Sequence, residues 1–266
     1  MKSYWLLAEP ETFFLPNLAA RLATHGHLQG IIEIKFESSV TAKTRRAIKI
    51  FRTFGMLQCV SIVIASIIAH LVDAGDTQRF YSLKKVSKKF KLPYIKCRGF
   101  NDPSLHRTLE QTNSLILVQV SRLVPAQLTH NYPLLNKHCS LLPSYAGVLP
   151  VFWAKLEDAP LQGVTVHRMN EEFDGGACLA QTSVSNQGSV WSLTHKLYDH
   201  TATLLETLDF KPDRAQQPES SSDVDYRSFP QAEDRKEFLR KGNTFGWIFR
   251  LHPRHRPLTL NPGTES

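Results

Sequence analysis

Apolar and polar positions along the first part of the chain follow two different periods, which together predict a sheet flanked by helices. SYWLLAE at 3–9 predicts a strand, and residues 11–26 carry apolar side chains at helical spacing and end on a glycine. LQGIIEIKF at 28–36 predicts a second strand. A strand, a helix and a strand in this order indicate a parallel α/β sheet.

The same pattern continues further along the chain. Strands are predicted at 91–97, 114–120 and 164–170, and a long helix at 189–208. SLILVQV at 114–120 is apolar almost throughout, which is typical of a strand buried on both faces. Open α/β sheets bind ligands beyond the carboxyl ends of their strands, so we expect the functional residues after this strand. The first turn, AEPETFF, has neither GxGxxG nor GxxxxGK[ST], so the usual phosphate-binding loop is absent.

Residues 41–73 predict one long helix with two unlike halves. The first half, TAKTRRAIKIFR, is basic, whereas residues 56–72 contain no acid or base except His70. The second half is short for a bilayer span. Six of its apolar residues fall on one helical face: Val60, Val63, Ile64, Ile67, Ile68 and Leu71. We therefore predict a helix that packs on the sheet or lies on a membrane surface, and no integral membrane span.

The overall composition is that of an ordinary globular protein, with 42% hydrophobic and 21% charged residues among 266. The four cysteines are far apart and form no CxxC pair, so neither a zinc knuckle nor a disulfide framework is indicated. The amino-terminal sequence does not have the pattern of a secretory signal. These features predict a cytoplasmic protein.

The net charge of +8 is concentrated in one part of the chain. Residues 43–98 contain thirteen Lys and Arg against only Asp73 and Asp76. Such a region can attract the phosphates of tRNA, of a nucleotide-linked substrate or of anionic lipid. A solvated surface without a partner is an equally weighted alternative, because few aromatic residues lie among the lysines.

Two motifs carry the candidate chemistry. NKHCSLLPSYAG spans 136–147, and GVTVHRMNEEFDGG spans 163–176. If the first motif begins as extended chain, Asn136 and His138 point to the same side and can reach one small group. The second motif ends in an acidic turn with two glycines, which would let the backbone approach a flat ligand.

Together these motifs resemble the formyltransferase family that uses 10-formyltetrahydrofolate, which includes the glycinamide ribonucleotide, methionyl-tRNA and sugar N-formyltransferases. The resemblance runs from about Val86 to Gln181 through NxHxSLLPxYxG and GVTVHxMxEExDGG, and more loosely over the first 85 residues. It implies an α/β, Rossmann-like formyltransferase fold with a mostly parallel central sheet and flanking helices. It also implies 10-formyltetrahydrofolate as the formyl donor, with no metal.

The resemblance implies a catalytic group of Asn136, His138 and Asp174. In such a group Asn136 and His138 would stabilise the negative charge on the formyl oxygen when an amine attacks, and Asp174 would hold the histidine and help remove a proton. The implied folate-binding residues are Ser121, Arg122, Leu123, Val124, Leu142, Pro143, Glu172, Phe173, Gly175 and Gly176.

We predict a catalytic domain at 1–209 and a linker with a short carboxyl-terminal extension at 210–266. DYRSFPQAEDRKEFLRKG at 225–242 is similar to the short tail of sugar-modifying formyltransferases. This favours an amino sugar or another small amine as acceptor, including one linked to a phosphate or nucleotide. Methionyl-tRNA, held by the basic region 43–98, is a further candidate, and peripheral contact with a membrane stays open.

Two other functions remain open at this point. Formyltetrahydrofolate hydrolysis needs the same three catalytic residues, with water in place of the amine. A catalytically inactive binding module would keep the frame while the segment VSRLVP at 120–125 no longer admits folate.

Overall fold

A seven-stranded sheet forms the centre of the protein, whose computed structural model describes residues 3–73, 79–209 and 225–249. In chain order the strands of the described residues are β1 (Tyr4–Ala8), β2 (Leu28–Lys35), β3 (Tyr94–Arg98), β4 (Leu115–Gln119), β5 (Leu134–His138), β6 (Ala146–Gly147), β7 (Leu161–Arg168), β8 (Cys178–Ser185) and β9 (Tyr226–Arg227). The sheet order is β3-β2-β1-β4-β5-β7-β8, in which the first five strands are parallel and β7 and β8 are antiparallel. The predicted mostly parallel, Rossmann-like sheet is confirmed.

Helices cover both faces of this sheet. In chain order those of the described residues are α1 (Leu15–Thr24), α2 (Val40–Asp73), α3 (Leu83–Phe90), α4 (Pro103–Gln111), α5 (Ala126–Asn131), α6 (Pro150–Leu156), α7 (Val190–Thr207) and α8 (Ala232–Arg240). Leu6 and Leu7 are neighbours in β1 and both fully buried, yet they belong to different hydrophobic clusters. The cluster of Leu6 includes α1, α3 and α7, and that of Leu7 includes α4 and α5. The central strands β1 and β4 are mostly apolar, as expected of strands with both faces covered.

The first turn of the sheet supplies its own anion to the helix that follows. The carboxylate of Glu11 accepts hydrogen bonds from the backbone N–H groups of Phe13, Phe14 and Leu15 at 2.7, 2.9 and 2.6 Å. Helix amino termini of this kind often bind phosphate in α/β proteins. Here the donors are satisfied by a side chain, in agreement with the absence of a glycine-rich phosphate loop.

The long helix α2 bends at Gly55, whose backbone has φ 73° and ψ 171°. By length and composition alone it could cross a bilayer, since an 18-residue stretch of it has a mean hydropathy of 2.1 and only 11% of that stretch is buried. Of the six residues predicted to share an apolar face, Val60, Val63, Ile64, Ile67 and Leu71 are exposed and only Ile68 packs against the protein. The side turned toward the protein carries the fully buried Ala65 and Ala69. Of the two placements predicted for that face, packing on the sheet is wrong.

The described part of the predicted carboxyl-terminal extension packs into the main body. Strand β9 pairs with β6, and Phe238 stacks on Phe152 with ring centroids 4.6 Å apart. Phe245 and Phe249 are buried in the same cluster as Trp191 of α7. The predicted linker at 210–224 lies outside the described residues, and the domain boundary at 209 stays a prediction.

Candidate active site

A cavity of about 550 Å³ opens beside the carboxyl ends of β1, β4 and β5. The neighbouring strands β1 and β4 start connections that lead to opposite sides of the sheet, which is where open α/β sheets bind their ligands. Asn136, His138 and Asp174 all line this cavity. The side chains predicted to act together are therefore in one place.

The amide of Asn136 is held from both of its ends. Its Nδ2 donates a hydrogen bond to Asp174 Oδ1 at 3.2 Å, and its Oδ1 accepts one from Gln119 Nε2 at 2.6 Å. An ionised carboxylate can only accept, so the amide nitrogen must face Asp174 and the amide oxygen must face Gln119. This orientation leaves the second amide hydrogen of Asn136 without a protein acceptor among the described residues.

His138 ends β5 and lies almost fully buried beside Asp174. Its Nδ1 is 3.4 Å from Asp174 Oδ2, and its Nε2 donates to the carbonyl oxygen of Tyr145 at 2.9 Å. Because a carbonyl oxygen can only accept, the neutral imidazole carries its proton on Nε2. Nδ1 is then the nitrogen that can take up a proton, facing a carboxylate that would stabilise the resulting imidazolium.

Asp174 is the centre of the cluster. It adopts a left-handed conformation with φ 54° in the turn between β7 and β8, and its Oδ2 accepts the backbone N–H of Gly147 at 2.8 Å. The Nε2 atom of His167, a fully buried residue of β7, lies 3.7 Å from Asp174 Oδ1. The amide of Asn136 and the N–H of Gly147 therefore hold this carboxylate by hydrogen bonds, and the imidazoles of His138 and His167 lie beside it.

The ionisation of the cluster follows from burial and from these neighbours. Burial acts to raise the pKa of Asp174, but His167, His138 and the N–H of Gly147 outweigh it and lower that pKa to about 2. Burial lowers the pKa of His138, and the nearby Asp174 opposes this only in part. At neutral pH the site thus holds a carboxylate and a neutral imidazole.

The loop that follows His138 is fixed by internal hydrogen bonds. Ser140 Oγ donates to the carbonyl oxygen of Ser144 at 2.7 Å, and the carbonyl oxygen of Ser140 accepts from Thr165 Oγ1 at 2.7 Å. Gly147 has φ 94°, and a Cβ atom there would lie 2.3 Å from the carbonyl oxygen of Arg227. A glycine is required at this position because the backbone turns in the left-handed region against β9.

The residues predicted to bind folate separate into two groups. Six of them line the cavity: Ser121, Arg122, Leu123, Val124, Glu172 and Phe173. Leu142, Pro143, Gly175 and Gly176 do not line it. The backbone N–H of Leu142 donates to Thr165, and the Leu142 carbonyl accepts from Gln181, so this segment braces the loop.

The turn DGG at 174–176 requires its two glycines for a structural reason that the sequence alone does not show. A Cβ atom at Gly176 would lie 1.7 Å from the carbonyl oxygen of Arg168, and one at Gly175 would lie 2.5 Å from Glu172 Oε2. The backbone of the turn therefore closes on β7 and on its own side chains. These contacts require glycine at both positions, and the predicted approach of a ligand to this turn stays a prediction.

Aromatic and basic side chains surround the opening of the cavity. Phe173 and Tyr226 are both about half exposed, with ring centroids 6.0 Å apart, and Phe229 also lines the wall. The guanidinium of Arg122 lies 4.6 Å from the ring centroid of Phe36, and Arg46 of α2 contributes to the lining. The opening can thus contact both a flat ring and an anionic group.

Sequence reasoning missed several of these groups. Gln119 is the one amide in the predicted strand SLILVQV and stands at its carboxyl end, so strand position could have identified it. Lys137 is buried on the other side of β5, with its Nζ 3.4 Å from Cys139 Sγ and 3.5 Å from the ring centroid of Tyr198. No group of three His, Cys, Asp or Glu side chains suited to a metal ion occurs in the described ranges.

Comparisons with known proteins agree with this geometry. The formyl transferase family model matches residues 56–205, more than half of the chain. The chain is 30% identical over 115 residues to a methionyl-tRNA formyltransferase of Buchnera aphidicola, covering 42% of this chain and 36% of the relative. It is 26% identical over 216 residues to a methionyl-tRNA formyltransferase of Syntrophomonas wolfei, covering 75% and 67%.

The fold is also similar to that of a solved structure. A phosphoribosylglycinamide formyltransferase from Streptococcus pneumoniae superposes with a TM-score of 0.51 and 14% identity, covering 77% of this chain and 94% of that one. The first curated relatives are matched over only 34% to 46% of their own length. The chain therefore spans less than half the length of these relatives, and the likeness to the solved structure is one of fold.

Proposed function

Because this chain belongs to the formyl transferase family, we propose that it moves a formyl group from 10-formyltetrahydrofolate to a primary amine. The observation that carries the proposal is the single cluster of Asn136, His138 and Asp174 lining one cavity. The cavity of about 550 Å³ is within the range of pockets that hold ligands of this size.

The residues around the cavity fit a flat, partly polar donor. Leu123 and Phe173 offer exposed apolar surface at the opening, and the backbone of 121–124 borders the cavity where a ring could make hydrogen bonds. When bound, the donor would supply an activated formyl group on a nitrogen atom. The chain's own residues would then orient that group beside Asn136 and His138.

Asn136 is suited to stabilise the formyl oxygen. In the reaction a bond forms between the amine nitrogen and the formyl carbon, negative charge develops on the oxygen, and the bond from the carbon to the donor nitrogen breaks. The second amide hydrogen of Asn136 can donate to that oxygen, and Gln119 and Asp174 prevent the amide from turning away. One well-placed donor of this kind contributes about 3 kcal/mol to a transition state.

His138 is suited to move the proton. Its imidazole is neutral at neutral pH and can accept the proton that the attacking amine loses, while Asp174 stabilises the imidazolium. The departing nitrogen of the donor then takes the proton back, so no net charge is left in the site. Asp174 stays ionised throughout, because its pKa is about 2.

A small amine on a sugar or nucleotide is the acceptor we favour. The half-exposed rings of Phe173 and Tyr226 can stack on a flat base, and Arg46 can meet a phosphate. Glu11 already satisfies the amino terminus of α1, which disfavours a phosphate bound at that end of the helix. Methionyl-tRNA stays a second acceptor candidate, because two of the curated relatives are methionyl-tRNA formyltransferases.

The test is an incubation of the purified chain with 10-formyltetrahydrofolate and a panel of amino sugars, nucleotide-linked amino sugars and methionyl-tRNA. Tetrahydrofolate release and product mass are followed together. Release that depends on one amine, with a product heavier by one formyl group, is the expected result. Release without any amine would show hydrolysis, and no release with any acceptor would contradict the proposal. Asn136→Ala, analysed beside the natural chain, distinguishes catalysis at this site from background breakdown of the donor.

A further inference from the structure

The outward side of α2 presents a row of large apolar side chains. We call this row the outer face, and its members are Met56, Leu57, Val60, Val63, Ile64, Ile67 and Leu71. Each of them is between 44% and 83% exposed. Their spacing of three and four residues places them on one side of the helix. Soluble monomers seldom expose a continuous apolar patch of this kind unless a partner covers it.

The inward side of the same helix is built to stay on the protein. Ala65 and Ala69 are fully buried in the cluster that contains Trp191. Near the bend, Thr53 Oγ1 donates to the carbonyl oxygen of Pro230 at 2.9 Å, and Phe54 lies 5.4 Å from the ring centroid of Trp191. Large apolar residues of the helix, Ile62, Ile68 and Val72, are half-buried against the same cluster. The inward side is therefore already apolar, and the outer face is a second apolar side that this packing does not use. The helix is therefore fixed lengthwise along the protein, with its outer face exposed in the part of the chain that the structure describes.

The segment before the bend carries the opposite kind of chemistry. Residues 40–54, the basic segment, contain five cations: Lys43, Arg45, Arg46, Lys49 and Arg52. All five are exposed, and no Asp or Glu occurs between Glu37 and Asp73. Phe51 and Ile48 are also about half exposed in this segment. A strongly cationic surface thus continues directly into the apolar outer face.

We propose that the outer face and the basic segment together bind the surface of an anionic phospholipid bilayer, with α2 lying in the interface. Apolar side chains that enter the acyl boundary beside cations that meet anionic headgroups are the combination that holds a helix on such a surface. A second copy of the chain would fit less well. Its basic segment would bring five more positive charges to the contact, with no acid in α2 before Asp73 to neutralise them.

This placement also concerns the candidate active site. Arg46 belongs to the basic segment and lines the cavity, so a bilayer bound to α2 would lie beside the opening of the site. The inference itself does not depend on formyl transfer. Vesicle binding is measured without donor or acceptor, so its failure and a failure of the proposed reaction are separate results.

The experiment is co-sedimentation of the full chain with vesicles of phosphatidylcholine alone, or mixed in equal parts with phosphatidylglycerol. We expect the chain to sediment with the mixed vesicles, to bind the neutral ones at least about tenfold more weakly, and to be released in part by salt. After binding, an alkaline carbonate wash should release the chain, because a helix lying in the interface does not cross the bilayer.

Two sets of exposed variants assign the binding to α2. Val63→Asp with Ile67→Asp should reduce binding to the mixed vesicles by about tenfold or more, because it places charge on the outer face. Lys43→Glu with Arg45→Glu should reduce it by a similar factor without touching the apolar side chains. The matched control is Leu161→Asp at the start of β7, whose side chain is 49% exposed and lies outside α2.

Each other outcome would overturn the inference. Equal binding by all three variants would remove α2 from the contact. Resistance to the alkaline wash would show that the helix spans the bilayer. Self-association in sedimentation velocity with no vesicle binding would assign the outer face to a second copy. A monomer that binds no vesicle would refute the inference outright.

Discussion

Replacement of Gly176 by alanine tests how the turn that carries Asp174 is built. A Cβ atom at this position would lie 1.7 Å from the carbonyl oxygen of Arg168, whereas real Cβ contacts are essentially never under 3.0 Å. The turn would have to move away from β7 by more than an ångström. That movement would strain the bond from the Arg168 N–H to the Ala177 carbonyl, which is 2.9 Å long. We expect Gly176→Ala to destabilise the protein by about 3 kcal/mol or more.

The assay is thermal unfolding followed by circular dichroism, in which about 3 kcal/mol corresponds to a fall in Tm of roughly 6–12 °C for a chain of this size. The matched control is Gly242→Ala. Gly242 has φ 77° but nothing within 4 Å of an added Cβ, so its substitution carries only the backbone strain of about 1 kcal/mol. A Gly176→Ala variant as stable as Gly242→Ala would show that the turn does not close on β7, which contradicts the contact described above.

The remaining predictions concern the site and the first helix. His138→Asn and Asp174→Asn should each lower kcat by about 100-fold or more with little change in affinity for a stable folate analogue, measured by titration calorimetry. The loss of kcat in acid should have its midpoint below pH 6.5, because the pKa of His138 is lowered and its neutral form is the active one. Asp174→Asn should move this midpoint to still lower pH, because the Asp174 charge raises the pKa of His138. Gln119→Leu should lower kcat about tenfold, because the Asn136 amide loses the hydrogen bond that orients it. An unchanged thermal midpoint beside the reduced turnover would show that the loss is not caused by unfolding. Glu11→Gln should lower the free energy of unfolding by about 1 kcal/mol in urea titrations, because the carboxylate accepts three N–H groups at the start of α1.

The sheet could be predicted because its signals are local. Strands β1 and β4 are short runs of mostly apolar residues, and β2 has an apolar centre, which is the pattern of strands buried on both faces. Helix α3 was not predicted, because LKKVSKKF is short and half of it is lysine. Its position depends on the burial of Leu83 and Val86 against α1, which is a tertiary effect.

The outward orientation of α2 could not be predicted for a related reason. Apolar periodicity identifies a helical face but not what covers it. The sequence indicates that Val63 and Ile67 share a side, yet only the packing of Ala65 and Ala69 decides that this side points outward. Ile62 and Ile68 are half-buried on the same inward side, so both sides of the helix are apolar and apolar spacing alone does not tell them apart.

The sequence could predict which side chains meet in the candidate site, but not all of the groups that surround them. Asn136 and His138 could be expected on one side because strand alternation is a fixed geometric rule, and both now contact Asp174. The carbonyl of Tyr145 and the N–H of Gly147 are backbone groups, which every residue carries and no motif can single out. The structural need for Gly175 and Gly176 could not be predicted, because the sequence does not distinguish a glycine that approaches protein atoms from one that approaches a ligand.

The most direct test of formyl transfer at this site is the rate at which labelled formyl passes from 10-formyltetrahydrofolate to an amine of the acceptor panel. This rate is measured for the natural chain and for Asn136→Ala and Asp174→Asn. We expect amine-dependent transfer by the natural chain, and a transfer rate about 100-fold or more lower in each variant, with binding of a folate analogue retained. Equal rates in all three proteins, or no binding of the folate analogue to the natural chain, would contradict the assignment of formyl transfer to this site.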